Sequence, residues 1–181
     1  FDQGKGMKQD YAQAFKWFSK AAEQRHAEAQ NNLGIMFYQS QGVKQDSTQA
    51  FQWWSKAAEQ GHVGAQFNLG TIFAHGYGLK QDYVKAFHWW SKAAKQGHAE
   101  AQFNLGIMFD EGRGVKKDCA QAFMWYKKAA EQGHADAQFN LGSMLTEGRA
   151  VKQNRAQAVK WYKRAADQGL AAAQRAVRDF K

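Results

Sequence analysis

"GHAEAQFNLGIMF" occupies Gly97–Phe109, and nearly the same line recurs as "GHVGAQFNLGTIF" from Gly61 and "GHADAQFNLGSML" from Gly133. Each copy starts 36 residues after the last. A fixed period of this size is the mark of a repeat architecture in which every unit is one supersecondary element. The register holds along the chain without insertion. Ala14, Ala50, Ala86, Ala122 and Ala158 keep it, as do Trp17, Trp53, Trp89, Trp125 and Trp161. Gln30, Gln66, Gln102, Gln138 and Gln174 keep it too, and Leu33, Leu69, Leu105 and Leu141 are each followed by glycine.

Each unit holds two helical patterns. In "DCAQAFMWYKKAAEQG", residues 118–133, Ala122, Trp125, Tyr126, Ala129 and Ala130 fall on one apolar stripe at helical spacing. Asp118 suits an N-cap with Gln121 three residues on, and Asp10, Asp46, Asp82 and Asn154 hold the same place. Gly133, like Gly61, Gly97 and Gly169, suits a left-handed helix end. The other helix, "AEAQFNLGIMFDE" (99–111), aligns Ala101, Leu105 and Met108. Gly106 sits in its middle, where glycine costs about 1 kcal/mol against alanine. Its recurrence implies that a neighbouring helix axis approaches too closely for a side chain. The turn "GRGVKKD" leads back, with its valine tucked beneath.

A two-helix unit buries both faces only by stacking on its neighbours. "A-x-A-Q-F-N-L-G", "G-x-G-[VL]-K-x-D" and "A-F-x-W-[YW]-x-K-A-A-x-Q-G-H" together resemble the Sel1-like repeat, a relative of the tetratricopeptide repeat. The resemblance implies an all-α fold, a right-handed superhelix (solenoid) of antiparallel helix pairs. It spans one array over residues 1–181: a partial unit 1–26, full units 27–62, 63–98, 99–134 and 135–170, and a capping helix in 171–181. Leu170, Arg175 and Arg178 replace the His, Phe and Gly of the pattern, as a polar outer cap requires.

The rest of the composition bounds the function. No Pro interrupts the 181 residues, which suits helices joined by short turns. No apolar run approaches the ~20 residues of a membrane-spanning helix. Cys119 is the single cysteine, so an internal disulfide is excluded. Phe1 falls inside a unit, so a secretion signal upstream of it is not visible, and no motif names a compartment.

Chemistry is hard to find. His26, His62, His98 and His134 form a ladder, but copies stand one repeat apart, on the order of 10 Å, whereas zinc needs ligands within about 2.1 Å. Helix anchoring explains them better. "GKGMKQD", "GYGLKQD" and "GRGVKKD" are glycine- and lysine-bearing turns after a helix, without the phosphate-loop spacing. Cys119 has no histidine partner in view. The expectation is no enzyme, no metal and no cofactor. The Trp ladder, with Phe18, Trp54, Trp90, Tyr126 and Tyr162 beside it, is read as core packing rather than a base-stacking surface, with one of each pair partly exposed because adjacent positions point about 100° apart.

The resemblance further implies that six positions of each first helix face a ligand. Carried over, these are Glu100, Phe103, Asn104, Ile107, Asp110 and Glu111 in one unit. The unit before supplies Gly64, Phe67, Asn68, Thr71, Ala74 and His75; the unit after, Asp136, Phe139, Asn140, Ser143, Thr146 and Glu147. The set carries acid and no Lys or Arg, although the chain has a net charge of +9. Cations sit on the second helices and in the loops, Arg113 and Arg149 among them. The expectation is an acidic, Phe-bearing inner wall that holds a protein or peptide with basic or apolar residues. Asn32, Asn68, Asn104 and Asn140 either bond the backbone of such a peptide or bond within the protein. Binding of nucleic acid or an anionic surface by the basic outer face is the weaker alternative.

Overall fold

The computed structural model describes residues 11–180. Among them ten helices follow one another and no strand occurs: α1 (Tyr11–Glu23), α2 (Ala27–Gln39), α3 (Ser47–Glu59), α4 (Val63–His75), α5 (Tyr83–Lys95), α6 (Ala99–Glu111), α7 (Cys119–Glu131), α8 (Ala135–Glu147), α9 (Arg155–Asp167) and α10 (Ala171–Asp179). The architecture is an all-α repeat solenoid. Asp10, Lys5 and the turn "GKGMKQD" lie outside the described residues. The chain divides between Gln81 and Asp82 into two compact units. In the first, α1 packs on α2, α2 on α3 and α3 on α4. In the second, α5 through α10 pack each on the next.

Local chemistry sets the helix ends. Asp46 accepts from the N–H groups of Thr48 and Gln49, Asp118 from Ala120 and Gln121, and Asn154 from Gln157. Asp82 accepts from Lys85 N–H, and that bond lowers the pKa of its carboxyl group. The histidines cap the alternate helices. His62 Nδ1 accepts from Ala65 N–H at 3.1 Å, and His98 and His134 accept from Ala101 and Ala137 at 3.3 Å. His26 makes no such bond. Gly61, Gly97, Gly133 and Gly169 take the expected positive φ, and Arg25 occupies the same place at φ 66°. Ser40 and Ala150 are likewise left-handed where other copies have glycine.

The predicted stripe Ala122, Trp125, Tyr126, Ala129 and Ala130 is buried throughout. The aromatic doublets divide, however. Trp54, Trp90, Tyr126 and Tyr162 are core residues, whereas Trp17 is 63% exposed, and Trp53, Trp89 and Trp161 are half-buried. The core reading therefore holds for the second member of four doublets, Phe18 being half-buried, and the partial exposure expected of one member falls on the first in all but Trp125. The reading of the mid-helix glycines also needs correction. What comes close is an aromatic ring, not a helix axis. A Cβ on Gly34 collides with the Trp54 indole, one on Gly106 with the Tyr126 ring, and one on Gly142 lies 2.7 Å from Tyr162. Trp54 is further fixed by its N–H, which donates to the Asn31 carbonyl at 3.1 Å.

The glutamine ladder ties repeats together. Buried Gln30, Gln66, Gln102 and Gln138 donate to the carbonyls of Ala22, Ala58, Ala94 and Ala130. Those carbonyls belong to the preceding repeat, while the glutamine side-chain oxygens accept from the far end of their own repeat: Gln60 to Gln30 and Gln132 to Gln102 at 2.7 Å, Gln168 to Gln138 at 2.9 Å. A buried amide satisfied on both sides fixes register as well as adding stability.

Candidate functional site

In the first unit, α2 and α4 flank a small recess lined by Ile35, Tyr38, Gln39, Trp54, Asn68, Thr71 and Ile72. It exists because Trp54, seated on Gly34, forms its floor while Tyr38 closes one side, with ring centroids 5.5 Å apart. Tyr38 continues to Tyr77 at 6.0 Å, and Tyr77 stacks on His75 at 5.1 Å. Burial first, and the neighbouring Tyr77 second, raise the Tyr38 pKa. His75 Nδ1 lies 2.9 Å from the Thr71 carbonyl, and the Thr71 hydroxyl donates to the Phe67 carbonyl. Asn68 donates to Asn31 Oδ1 at 3.3 Å. Of the sequence-based set, the lining includes Asn68 and Thr71, with His75 in the adjoining aromatic cluster; Phe67 is half-buried. Ile35, Tyr38 and Gln39 were missed, although the six-position rule applied to 27–39 reaches all three.

The second unit is built differently at the same register. Tyr38 corresponds to Asp110, 72 residues later. Arg149 reaches back from its loop and bonds Asp110 at 2.8 Å, with Nε 2.7 Å from Glu147 but poorly aligned for a hydrogen bond. Ser143 donates to Glu147 at 2.8 Å, and Arg113 pairs with Glu111. Thus two of the loop cations assigned from sequence to the basic surface, Arg113 and Arg149, pair with the acidic side chains instead. Glu100 is also engaged, 2.9 Å from His134 Nε2, as Glu28 is 2.8 Å from His62 in the first unit.

Phe103 stacks on the His134 ring at 4.4 Å and tilts against Tyr126 at 5.9 Å; Phe139 lies 5.4 Å from Tyr162. Both, with Ile107, pack on the edge of the core and remain half-buried. Asn140 hydrogen-bonds the buried Tyr126 hydroxyl, whose pKa is raised by burial first and by the Asp110 carboxylate second. Asn104 is half-buried and Asp136 exposed. Asn68 and Asn140 therefore bond within the protein. Among the described residues, no three His, Cys, Asp or Glu side chains converge as metal ligands. No helix there is long and apolar enough to cross a membrane.

A Sel1 repeat model matches residues 1–26, 27–62, 63–98, 99–134 and 135–170. Among solved structures, the chain is similar to c5321, a protective antigen of uropathogenic Escherichia coli strains that displays an SLR fold. The identity is 38% and the TM-score 0.92, over 96% of this chain and 37% of that one. A Sel1 repeat protein from Oxalobacter formigenes is 39% identical with a TM-score of 0.86, over 95% and 70%. Cysteine rich protein B of Helicobacter pylori is 29% identical with a TM-score of 0.56, over 72% and 94%. The chain thus spans little more than a third of the length of c5321. No curated protein matches it. Five consecutive matches leave one conclusion: the chain belongs to the Sel1 repeat family.

Proposed function

We propose that this chain holds a polypeptide partner on the faces of its first helices, and that the α2–α4 recess anchors an apolar side chain of that partner. Sel1 repeat arrays are in general non-catalytic protein-interaction scaffolds. The observation that carries the finer reading is the recess itself. An indole, a phenol and two isoleucines surround it, with the amides of Asn68 and Gln39 at its rim. Ligand pockets combine apolar walls with a few polar groups in this way. In the second unit, the partner meets the half-buried Phe103, Ile107 and Phe139 beside Asp110, Glu111 and Glu147.

Site-specific photocrosslinking tests the assignment. A benzoylphenylalanine placed at Gln39 yields an adduct with a partner from cell extract, and the same group at Lys56 on α3 does not. Adducts from Lys56 alone overturn the inner-face reading.

A further inference from the structure

The outer members of the aromatic doublets form a second feature that the inner faces do not use. A cation three residues on lies over each outer indole: Lys56 is 4.0 Å from the Trp53 ring, Lys92 4.5 Å from Trp89, and Arg164 4.7 Å from Trp161. Charge is segregated around them. In the second unit, α5, α7 and α9 carry three, two and four Lys or Arg, all exposed, against Glu131 and Asp167 alone. α6 and α8 carry five carboxylates and no Lys or Arg.

This surface is concave beside several of these indoles, and the hollow at Trp53 and Lys56 also holds Glu23 and Glu59. On α9, Asn154, Ala156, Gln157, Lys160, Trp161 and Arg164 line an open basin. The same register on α1, with Gln13, Lys16, Trp17 and Lys20, lines another. In both, one cation precedes the indole and a second lies a turn further on. On α3, α5 and α7 the preceding position is Gln52, His88 or Met124, and the paired cation is lost.

We infer that each of these basins is a subsite for single-stranded nucleic acid. A base stacks against the indole while the flanking cations take the phosphates on either side, as in sequence-independent strand binding. Arg164 and Lys20 already lie over their rings, so an entering base moves them outward onto phosphate. The composition disfavours other anionic partners. An acidic polypeptide needs no aromatic platform. A lipid surface needs protruding apolar side chains, and among the described second helices only Trp17 and Val84 are large, apolar and exposed. This inference does not depend on the inner-face reading.

The test uses the full chain with a labelled oligothymidylate, a duplex, heparin and anionic phospholipid vesicles, followed by anisotropy and tryptophan emission. The oligothymidylate binds and quenches tryptophan. Its affinity falls about sevenfold between roughly 50 and 200 mM salt for each site using two phosphate contacts. Lys160→Glu with Arg164→Glu, and separately Lys16→Glu with Lys20→Glu, weaken binding about tenfold at low salt with unchanged circular dichroism. Arg155→Glu, outside the α9 basin, has little effect. Three outcomes overturn the inference: no oligothymidylate binding at the lower salt, equal binding of duplex or heparin without quenching, or binding to vesicles alone.

Discussion

Tyr38 and Asp110 occupy one register in two units, and around them the same fold makes two different surfaces. In the first unit, an aromatic at that position leans on Trp54 and leaves an uncharged recess. In the second, a carboxylate draws Arg149 across the face, and the ion pair takes the place of the recess. The repeated frame of alanines, glutamines and glycine-seated rings is unaffected by the change. A solenoid can therefore vary its face one position at a time, because stability resides in nearest-neighbour packing that those positions do not share.

The comparison is sharpest if the frame is the same in both units while the faces differ. The largest effect is expected at the glycine seats. Gly106→Ala forces the Tyr126 ring off α6 and destabilises the second unit by about 2–3 kcal/mol in chemical denaturation. Gly34→Ala does the same to Trp54 and costs about 1 kcal/mol more, because the indole also loses its bond to the Asn31 carbonyl. Near-zero effects mean that the rings are not seated on these glycines.

The face of the second unit responds next. Arg149→Ala leaves Asp110 and Glu147 facing each other and lowers stability by about 1 kcal/mol, a figure kept small by partial solvent exposure of the pair. The loss shrinks in high salt. A loss that does not vary with salt points to packing by the arginine stem instead.

Smaller gains come from the turns. Arg25→Gly and Ser40→Gly in the first unit, and Ala150→Gly in the second, relieve left-handed strain of about 1–2 kcal/mol while adding chain entropy of about 0.5–1 kcal/mol. Each raises Tm slightly. A fall at all three removes the strain argument.

Acid discriminates among the histidine caps most gently. Burial holds the pKa of His98 below its ordinary value of 6.5, with Glu100 pulling the other way. The unfolded chain takes up this proton before the folded one does, so stability falls as pH drops below about 6.5 toward the lower folded value. His98→Asn, which caps without titrating, flattens that part of the pH–Tm curve; an unchanged curve assigns the slope elsewhere.

Much of this was legible in the sequence because it is local and repeated. The α6 limits, the Asp118 cap, the left-handed Gly133 and the Ala122–Ala130 stripe all follow from spacing within one helix. What spacing cannot say is which neighbour arrives. Adjacent aromatics such as Trp161 and Tyr162 look alike until packing buries the second and leaves the first beside Arg164. Gln102 recurs visibly, but its partner Gln132 lies 30 residues away at the end of α7. Arg149 reads as a loop cation, and only the fold brings it to Asp110. Of the inner-face set, Asn68 and Thr71 do line the recess, while Phe103 and Phe139 lean on Tyr126 and Tyr162 of their own repeats and stay half-buried.

The central claim is that the α2–α4 recess grips a polypeptide. Thr71→Trp fills it without touching the helix caps or the glutamine relay. Calorimetric titration of the crosslinked partner against this variant should show at least a tenfold loss of affinity, about 1.4 kcal/mol, with Tm unchanged. Undiminished affinity with the recess filled contradicts the account.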